Sequence, residues 1–439
     1  MSTVSSRSVW RIALPMIVTN VTVPLLGMVD TAVVGHLEEP SYLGAVAVGA
    51  TIFSFLFMGL NFLRMGTTGL AAQALGSGDF SKVRNVLGQA VAIALALAAI
   101  LIVLQKPIGQ LAFYLLEPSP EVVRHGWTYF SIRIWSGPAT LVNYAIIGWF
   151  IGMQNTRAPL IIMLTINVIN ILLDVVLVSV MGFAAGGVAA ASVTAELAGV
   201  ATGALLVRHT LSDSPGHWQP SALRDLASLR RLFEVNANIF VRTLALMFSF
   251  GFITAVSARQ GTVLLAANAV LLNFQTFMAY ALDGFANAAE ALVGKTIGAR
   301  NREDFDRTVT LTLKMSLAVA VFFSLAWWLG GPLLIGVLTG IEEVRAAAIN
   351  YLPWIIALPV ISVWSFTYDG IYVGATLSRE MRNMMLLSTF GVFVPVWFVF
   401  SFLGNHGLWL AFTCFMAARG LTMFVLLEML RRQPGRLLP

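Results

Sequence analysis

Three polar side chains recur at helical spacing inside one strongly apolar stretch of the sequence. Asn167, Asn170 and Asp174 are separated by three and then four residues, so a helix would place them on one face. A carboxylate with amide oxygens beside it can hold a proton or ligate a small cation such as sodium. We therefore expect this face to form one cation-binding site.

A second acid lies late in the first apolar stretch, at Asp30. If its helix faces the helix of Asp174, two carboxylates share a dry environment in which one of them is readily protonated. The residues leave proton and sodium binding equally open. The structural alternative makes the asparagines interhelical hydrogen-bonding groups, with the acids paired to Arg64 or Arg133.

Further acids lie inside apolar stretches of the second half. Asp283 and Glu290 are seven residues apart and would share a helix face, where they could attract a cationic substrate. Asp369 could join them or belong to an alternative cation site. In the first half of the chain, Asn61 occupies the position that corresponds to Asp283. The structural alternative is pairing with basic residues, namely Arg242, Lys314 and Arg419.

The elements that carry these residues must be membrane helices. The 439 residues are 58% hydrophobic and 11% charged, and the mean hydropathy of +0.82 excludes an ordinary soluble domain. Apolar runs of about 20 residues or more recur along the chain, each long enough to cross a bilayer as a helix. They lack the alternation of membrane strands. The twelve predicted spans are 9–34, 43–70, 87–115, 126–152, 159–181, 187–209, 234–258, 263–294, 309–338, 347–374, 384–403 and 407–430.

Other function classes find little support. The first apolar run is too long for a cleavable signal peptide and is expected to be retained. Cys414 is the single cysteine, so no disulfide framework is available. The sequence has no nucleophile motif, phosphate-binding loop or histidine-rich metal pattern. We expect no enzyme activity, no cofactor beyond a coupling ion, and no nucleic-acid partner.

Basic residues are distributed as membrane topology requires. Most of the 27 lysines and arginines fall in the termini and in alternate loops, such as those at Arg157 and Arg379, while the intervening loops hold few. We assign the basic side to the cytoplasm, so both termini are expected there.

The second half of the chain repeats the first in one constant register, which takes Gly148 to Gly370 and Gly152 to Gly374. Because the basic loops of both halves fall on one side, the repeats are parallel, with six helices each. The predicted domains are residues 1–209 and 233–439, joined by a linker at 210–232. The same register takes Asn170 to Val392 and Asp174 to Val396, so the cation cluster is expected once.

Several segments resemble the multidrug and toxic compound extrusion (MATE) family. They are Leu14-Pro15 through Met28-Val29-Asp30-Thr31 and the Asn170 to Asp174 spacing; the segments at 62–69 (FLRMGTTG) and 368–376 (YDGIYVGAT) are similar to its DinF subgroup. The resemblance covers essentially the whole chain. It implies a V-shaped pair of six-helix lobes that export amphipathic cations, in exchange for protons or sodium ions, across a bacterial inner membrane.

The resemblance also implies roles for particular residues. The first-lobe cation site of the family falls on Asp30, Asn170 and Asp174, with a hydroxyl group of the sixth helix at Ser192 or Thr194. Its bending proline falls on Pro15, and Pro24 offers a second hinge because proline lacks an amide donor. Flexible methionines are candidates for lining a substrate cleft, although packing is their commoner role. The candidates are Met28, Met58, Met65 and Met278.

These expectations combine into one functional hypothesis. The chain would be an antiporter that works by alternating access, with small amphipathic cations and membrane lipid as its partners and a monomer as its working state. The alternative is a flippase for lipids or lipid-linked precursors, which would be expected to carry cationic side chains in its cleft. A channel or receptor without uphill transport stays open as well.

Overall fold

The computed structural model describes residues 4–34, 39–219, 221 and 225–433, without the side chains at 23–32, 34 and 40. It divides into two compact units. We call Val18–Phe233 the amino-terminal unit, and Met1–Ile17 together with Glu234–Pro439 the carboxyl-terminal unit.

Nine α-helices begin in the first half of the described chain. They are α1 (Ser6–Val34), α2 (Pro40–Leu60), α3 (Phe62–Gly76), α4 (Phe80–Val103), α5 (Gln105–Leu116), α6 (Pro120–Arg133), α7 (Gly137–Gly152), α8 (Arg157–Asp174) and α9 (Ala184–Ser212). A 3₁₀ turn at Ile134–Ser136 joins α6 to α7, and a π-helical segment at Val175–Val180 extends α8.

Seven further α-helices follow in the described residues from 225 onward. They are α10 (Leu226–Arg259), α11 (Thr262–Gly298), α12 (Arg302–Leu338), α13 (Glu342–Gly374), α14 (Ser378–Leu386), α15 (Val394–Phe400) and α16 (Asn405–Arg431). A second π-helical segment, Leu387–Phe393, joins α14 to α15, and a 3₁₀ turn at Ser401–Leu403 precedes α16.

The prediction of an all-helical membrane protein is confirmed. Within the described residues, eleven helical stretches are long and apolar enough to span a bilayer. They match the predicted spans after the first, which corresponds to the 29-residue helix α1. The predicted span 87–115 is interrupted at Leu104, between α4 and α5. The reason is Pro107, whose ring cannot coexist with a regular helical carbonyl at Val103.

The sequence repeat extends to the local geometry of the chain. Asp79 caps α4 by accepting from the Lys82 amide at 2.9 Å, and its repeat partner Asn301 caps α12 by accepting from the Asp304 amide at 3.0 Å. Gln154 and its repeat partner Thr376 both adopt left-handed backbone, at φ 60° and 55°. The turns that connect the helices are therefore duplicated along with the helices.

Matching glycines allow a close helix crossing in each unit. A Cβ added at Gly148 on α7 would collide with the Arg64 carbonyl oxygen on α3. At the repeat-related Gly370 on α13, it would collide with the Ala286 carbonyl oxygen on α11. Backbone atoms cannot move aside as a flexible side chain can, so both crossings require a residue without a side chain.

The start of α1 packs in the carboxyl-terminal unit, whereas the predicted boundary placed residues 1–17 with the first half. Gly284 on α11 leaves room for Ile17 and for the Ala13 carbonyl oxygen. The rings of Trp10 and Phe285 meet edge to face, with centroids 5.1 Å apart. Close backbone packing and an aromatic contact thus hold this segment.

The described start of the linker is bound to α4. Arg84 donates to the carbonyl oxygens of Leu211 and Ser214 at 2.6 and 2.8 Å. Asn85 donates to the Gln219 side chain at 3.2 Å. This part of the linker therefore belongs to the packed amino-terminal unit.

Candidate functional site

The predicted polar face of α8 lies in the interior of the amino-terminal unit. Asn170 and Asp174 are completely buried, and Asn167 is 7% exposed. Asn170 donates from Nδ2 to Ser192 Oγ on α9 at 3.3 Å. Thr194 is exposed and donates back to the Ala190 carbonyl oxygen at 2.9 Å. Of the two candidate hydroxyl groups, the structure therefore brings Ser192 to the α8 face.

Asp174 stands at a change of helix type. It is the last α-helical residue of α8, and the π-helical segment begins at Val175. A π turn holds an extra residue, and such segments occur frequently at functional sites. Placing a carboxylate in an apolar span is costly, so the completely buried Asp174 is a candidate functional residue.

The first-helix candidates are described only in part. Helix α1 runs through Pro15 and Pro24 without interruption, and Pro15 is half-buried. The side chains of Asp30, Pro24 and Met28 lie outside the described residues.

Asp369 is engaged by two arginines in the carboxyl-terminal unit. Its Oδ2 accepts from Arg242 on α10 and, at 2.7 Å, from Arg419 on α16. All three side chains are buried. The Arg419 guanidinium also lies 5.5 Å from the centre of the Phe415 ring. Of the roles considered for Asp369, the geometry favours structural pairing over contact with a cationic substrate.

The remaining cleft candidates are dispersed through the two units. Glu290 is buried on α11 and Asp283 is half-buried. Asn61 lies at the junction of α2 and α3 and accepts from Arg64 Nε at 3.2 Å. The methionines divide by exposure: Met65 and Met278 are buried, as packing residues are, and Met58 is exposed.

Sequence reasoning missed Glu196, an acid inside a membrane helix. It lies on α9 one turn after Ser192, and Asn143 on α7 donates from Nδ2 to Glu196 Oε2 at 2.8 Å. The same amide donates to the Glu196 carbonyl oxygen at 3.0 Å. The available signal was an acid inside the predicted span 187–209, in helical register with Ser192.

Basic and aromatic groups complete this polar interior. The Tyr144 hydroxyl is within electrostatic range of Glu196, Arg64 and Arg133. The Arg133 guanidinium lies 5.7 Å from the ring centres of both Phe53 and Phe57. Across the described part of the chain, histidines, cysteines and acids form no group of three that could hold a metal ion.

A protein-family model described as MatE matches residues 15–176 and 239–399, one stretch in each repeat. The chain belongs to the MatE family. Its members are membrane transporters, so the recognition from sequence and the twelve-helix fold are both confirmed, and the chain is a multi-pass membrane protein.

Curated relatives support this membership along nearly the whole chain. DNA damage-inducible protein F of Escherichia coli is 43% identical over 423 residues, covering 96% of this chain and 92% of the relative. The probable multidrug resistance protein NorM of Bacillus cereus is 23% identical, covering 88% of this chain and 86% of the relative.

Solved structures agree with the MatE assignment at the level of the fold. The crystal structure of MATE in the bent conformation aligns with a TM-score of 0.88 at 18% identity, covering 98% of both chains. The outward-facing conformation of a multidrug resistance MATE family transporter of the MOP superfamily aligns with a TM-score of 0.85, also at 18% identity.

Proposed function

We propose that this MatE protein is a secondary active antiporter that exports organic cations in exchange for protons, with sodium as the alternative coupling ion. The observation that carries the proposal is the completely buried Asp174 beside the bonded pair of Asn170 and Ser192. A relative named as a multidrug resistance protein supports the choice of cargo.

The repeat supports a coupling role over a packing role. In the second half, Val392, Val396 and Cys414 stand at the positions of Asn170, Asp174 and Ser192. A group needed to pack a duplicated scaffold would be expected in both copies, whereas a coupling ion needs one site.

The proposed cycle begins with ion binding. A proton or sodium ion binds at Asp174, with Asn170 and Ser192 as neighbouring oxygen ligands and Asp30 as the partner acid. Loss of the buried negative charge allows α1 to rearrange at Pro15 or Pro24, and the bound cation leaves on the outer side. Parallel six-helix repeats are suited to such alternating access.

The setting follows from the same assignment. We place the protein in the cytoplasmic membrane, with both termini on the cytoplasmic side because the basic loops are there. We take the monomer as the working unit, since each of the two units has its own packed interior.

The test uses protein reconstituted into liposomes, with a fluorescent organic cation as cargo and with proton and sodium gradients imposed separately. We expect one gradient to drive uphill transport. Asp174→Asn should abolish this transport while cargo binding persists, because the amide carries no negative charge and cannot take up and release a proton. The control is Asp213→Asn, which changes an exposed linker carboxylate and should leave transport intact.

The possible results separate the candidate functions. Wild-type protein that moves the cation only downhill under both gradients would contradict antiport and favour the flippase or receptor alternatives. An Asp174→Asn protein that still couples to the gradient would move the ion site elsewhere in the chain.

A further inference from the structure

Buried polar atoms form a line along α7 and the turn before it. Ser136 Oγ, Thr140 Oγ1 and Asn143 Oδ1 are buried, and no described residue forms a hydrogen bond with them. Their spacing of four and then three residues places them on one helix face. Buried polar groups are normally satisfied by protein or by ordered water. This line is therefore a place where water would bind inside the amino-terminal unit.

Glu196 meets the line at Asn143. The Asn143 amide donates to both the carboxylate and the carbonyl oxygen of Glu196, at 2.8 and 3.0 Å. Gly199 makes this approach possible, because a Cβ there would lie 2.9 Å from Asn143 Nδ2 and 2.6 Å from Ile166 on α8. The Asn143 amide thus lies where α7, α8 and α9 converge.

Polar groups continue from Glu196 to Asp174. Ser192 precedes Glu196 by one turn of α9 and accepts from Asn170, which precedes Asp174 by one turn of α8. Each four-residue step advances about 6 Å along its helix. Asn167 Oδ1, another buried acceptor without a hydrogen-bond partner in the described chain, lies on the same α8 face. Steps of this length can be bridged by single water molecules.

The second repeat lacks this arrangement. The register of the repeat takes Glu196 to Ala418 and Asn143 to Ser365. Ser365 donates to the Ser362 carbonyl oxygen at 2.8 Å, so the corresponding hydroxyl group is satisfied within its own helix. The carboxylate and the polar line therefore occur in the unit that contains Asp174.

Other charged and titratable groups share the interior with Glu196. Arg64 on α3, Arg133 on α6 and Glu196 all interact electrostatically with Tyr144 on α7, and α8 contributes Asp174. The two arginines supply counter-charge for a carboxylate inside an apolar span. The charges alone are compatible with a purely structural pairing, so the test must separate the two roles.

We propose that Glu196 is a further proton-carrying carboxylate of this unit, beyond Asp174 and Asp30, and forms the inward end of a path that starts at Asp174. The inference rests on the proposed proton antiport. A proton leaves the Asp174 carboxyl group, passes through the Ser192 hydroxyl and bound water, and is accepted by the Glu196 carboxylate. Only O–H bonds change, and Asp174 returns to its ionised form. The loop at Arg157, where α8 begins, is assigned to the cytoplasm, so the turn between α8 and α9 is assigned to the outer side. Glu196 lies further from that turn than Asp174 does and is therefore the inward end.

The experiment compares Glu196→Gln with wild-type protein in liposomes. Three quantities are measured: cation binding, cation exchange without a gradient, and uptake driven by a pH gradient. We expect binding and exchange to persist and gradient-driven uptake to fall by roughly a hundredfold, the lower end of the range for a lost acid–base group. The dependence of uptake on the pH of the cytoplasmic face should flatten. Glu196→Asp should restore part of the uptake.

The control and the contrary results are distinct. Glu342→Gln changes an exposed acid and should behave as wild type. A Glu196→Gln protein with full gradient-driven uptake overturns the relay, and so does one that loses binding and exchange together with uptake. Wild-type protein driven by sodium alone overturns the relay through the failure of proton coupling itself.

A measurement on wild-type protein guards against a variant that does not fold. A hydrophobic carbodiimide reacts with protonated carboxyl groups in membranes, and mass spectrometry locates the modified residue. We expect modification at Glu196 to increase as the medium is acidified and to slow gradient-driven uptake. Protein whose Glu196 stays unmodified at every pH tested overturns the relay.

Discussion

Two buried acids of this chain are accommodated in different ways. Asp369 accepts hydrogen bonds from two guanidinium groups. Asp174 lies on the same helix face as an amide that bonds a hydroxyl group. Removing the charge of Asp369 would leave two buried guanidinium groups without their carboxylate, so Asp369 is poorly suited to repeated protonation. We therefore place ion coupling at Asp174.

Removing one member of the cluster of Arg242, Asp369 and Arg419 should greatly reduce the stability of the protein. Asp369→Leu leaves two buried guanidinium groups without their carboxylate, and we expect about 3–5 kcal/mol of destabilisation. Unfolding of purified protein in mixed micelles measures the change. Asp306→Asn, which breaks a partly exposed pair with Arg431 at 2.9 Å, should cost at most about 1 kcal/mol.

Replacing the whole cluster tests the explanation. Arg242→Met and Arg419→Met, combined with Asp369→Leu, remove the stranded charges and should recover most of the loss. A triple variant no more stable than Asp369→Leu alone would show that the charges are not its cause.

The sequence predicted the shared face of Asn167, Asn170 and Asp174, because helical spacing alone determines it. Spacing could not decide what opposes that face. The rotation of neighbouring helices decides which hydroxyl group meets the α8 face, Ser192 rather than Thr194. It also decides which basic residues pair with Asp369, Arg242 and Arg419 rather than Lys314. Those rotations are set by packing between residues that lie far apart in the chain, such as Arg242 and Asp369.

At the scale of elements, duplicated glycines explain why parts of the two halves kept the same sequence. Gly148 and Gly370 each lie against a backbone carbonyl group, and Gly152 and Gly374 do so one turn later. These contacts tie α3 to α7 in one unit and α11 to α13 in the other. The repeat therefore preserves a helix crossing while the polar chemistry differs.

Adding one methyl group at either crossing should be harmful. We expect Gly148→Ala and Gly370→Ala to destabilise by similar amounts, about 1–3 kcal/mol each, because backbone atoms must move apart. Gly251→Ala is the control, since nothing lies within 4 Å of an added Cβ there. It should be neutral or slightly stabilising, as expected for alanine replacing glycine in a helix. Thermal unfolding in detergent compares the three variants, and equal effects at all three positions would contradict the crossing argument.

Hydropathy predicted the membrane helices well because spans depend on length and composition. It could not separate α4 from α5, although Pro107 carried the signal for that break. The π-helical segments at Val175–Val180 and Leu387–Phe393 had no signal. A π turn differs from an α turn by its hydrogen-bond register, and packing selects that register without changing the composition.

At the scale of the molecule, the proposed orientation can be tested with single cysteines. In a Cys414→Ser background, Asp213→Cys lies in the linker, and Glu342→Cys lies at the start of α13, next to a loop assigned to the outer side. A membrane-impermeant maleimide added to intact cells should label position 342 and leave position 213 unlabelled until the cells are opened. Labelling of position 213 in intact cells would invert the topology.

The parallel repeat was visible in the sequence because its register stays constant from the first helices of each half to the last. The affiliation of residues 1–17 was not visible. Their apolar pattern fits any membrane helix, and only the small Gly284 and the ring of Phe285 distinguish the partner that they pack against.

That affiliation has a consequence for biosynthesis. Trp10 emerges from the ribosome early, while Phe285 is added only after more than half of the chain has been made. At usual rates of synthesis, the nascent amino-terminal segment waits on the order of tens of seconds for its partner. A gene fragment that encodes only the first six spans would leave this segment without the surface it packs on, so the first repeat on its own is not expected to yield a finished bundle.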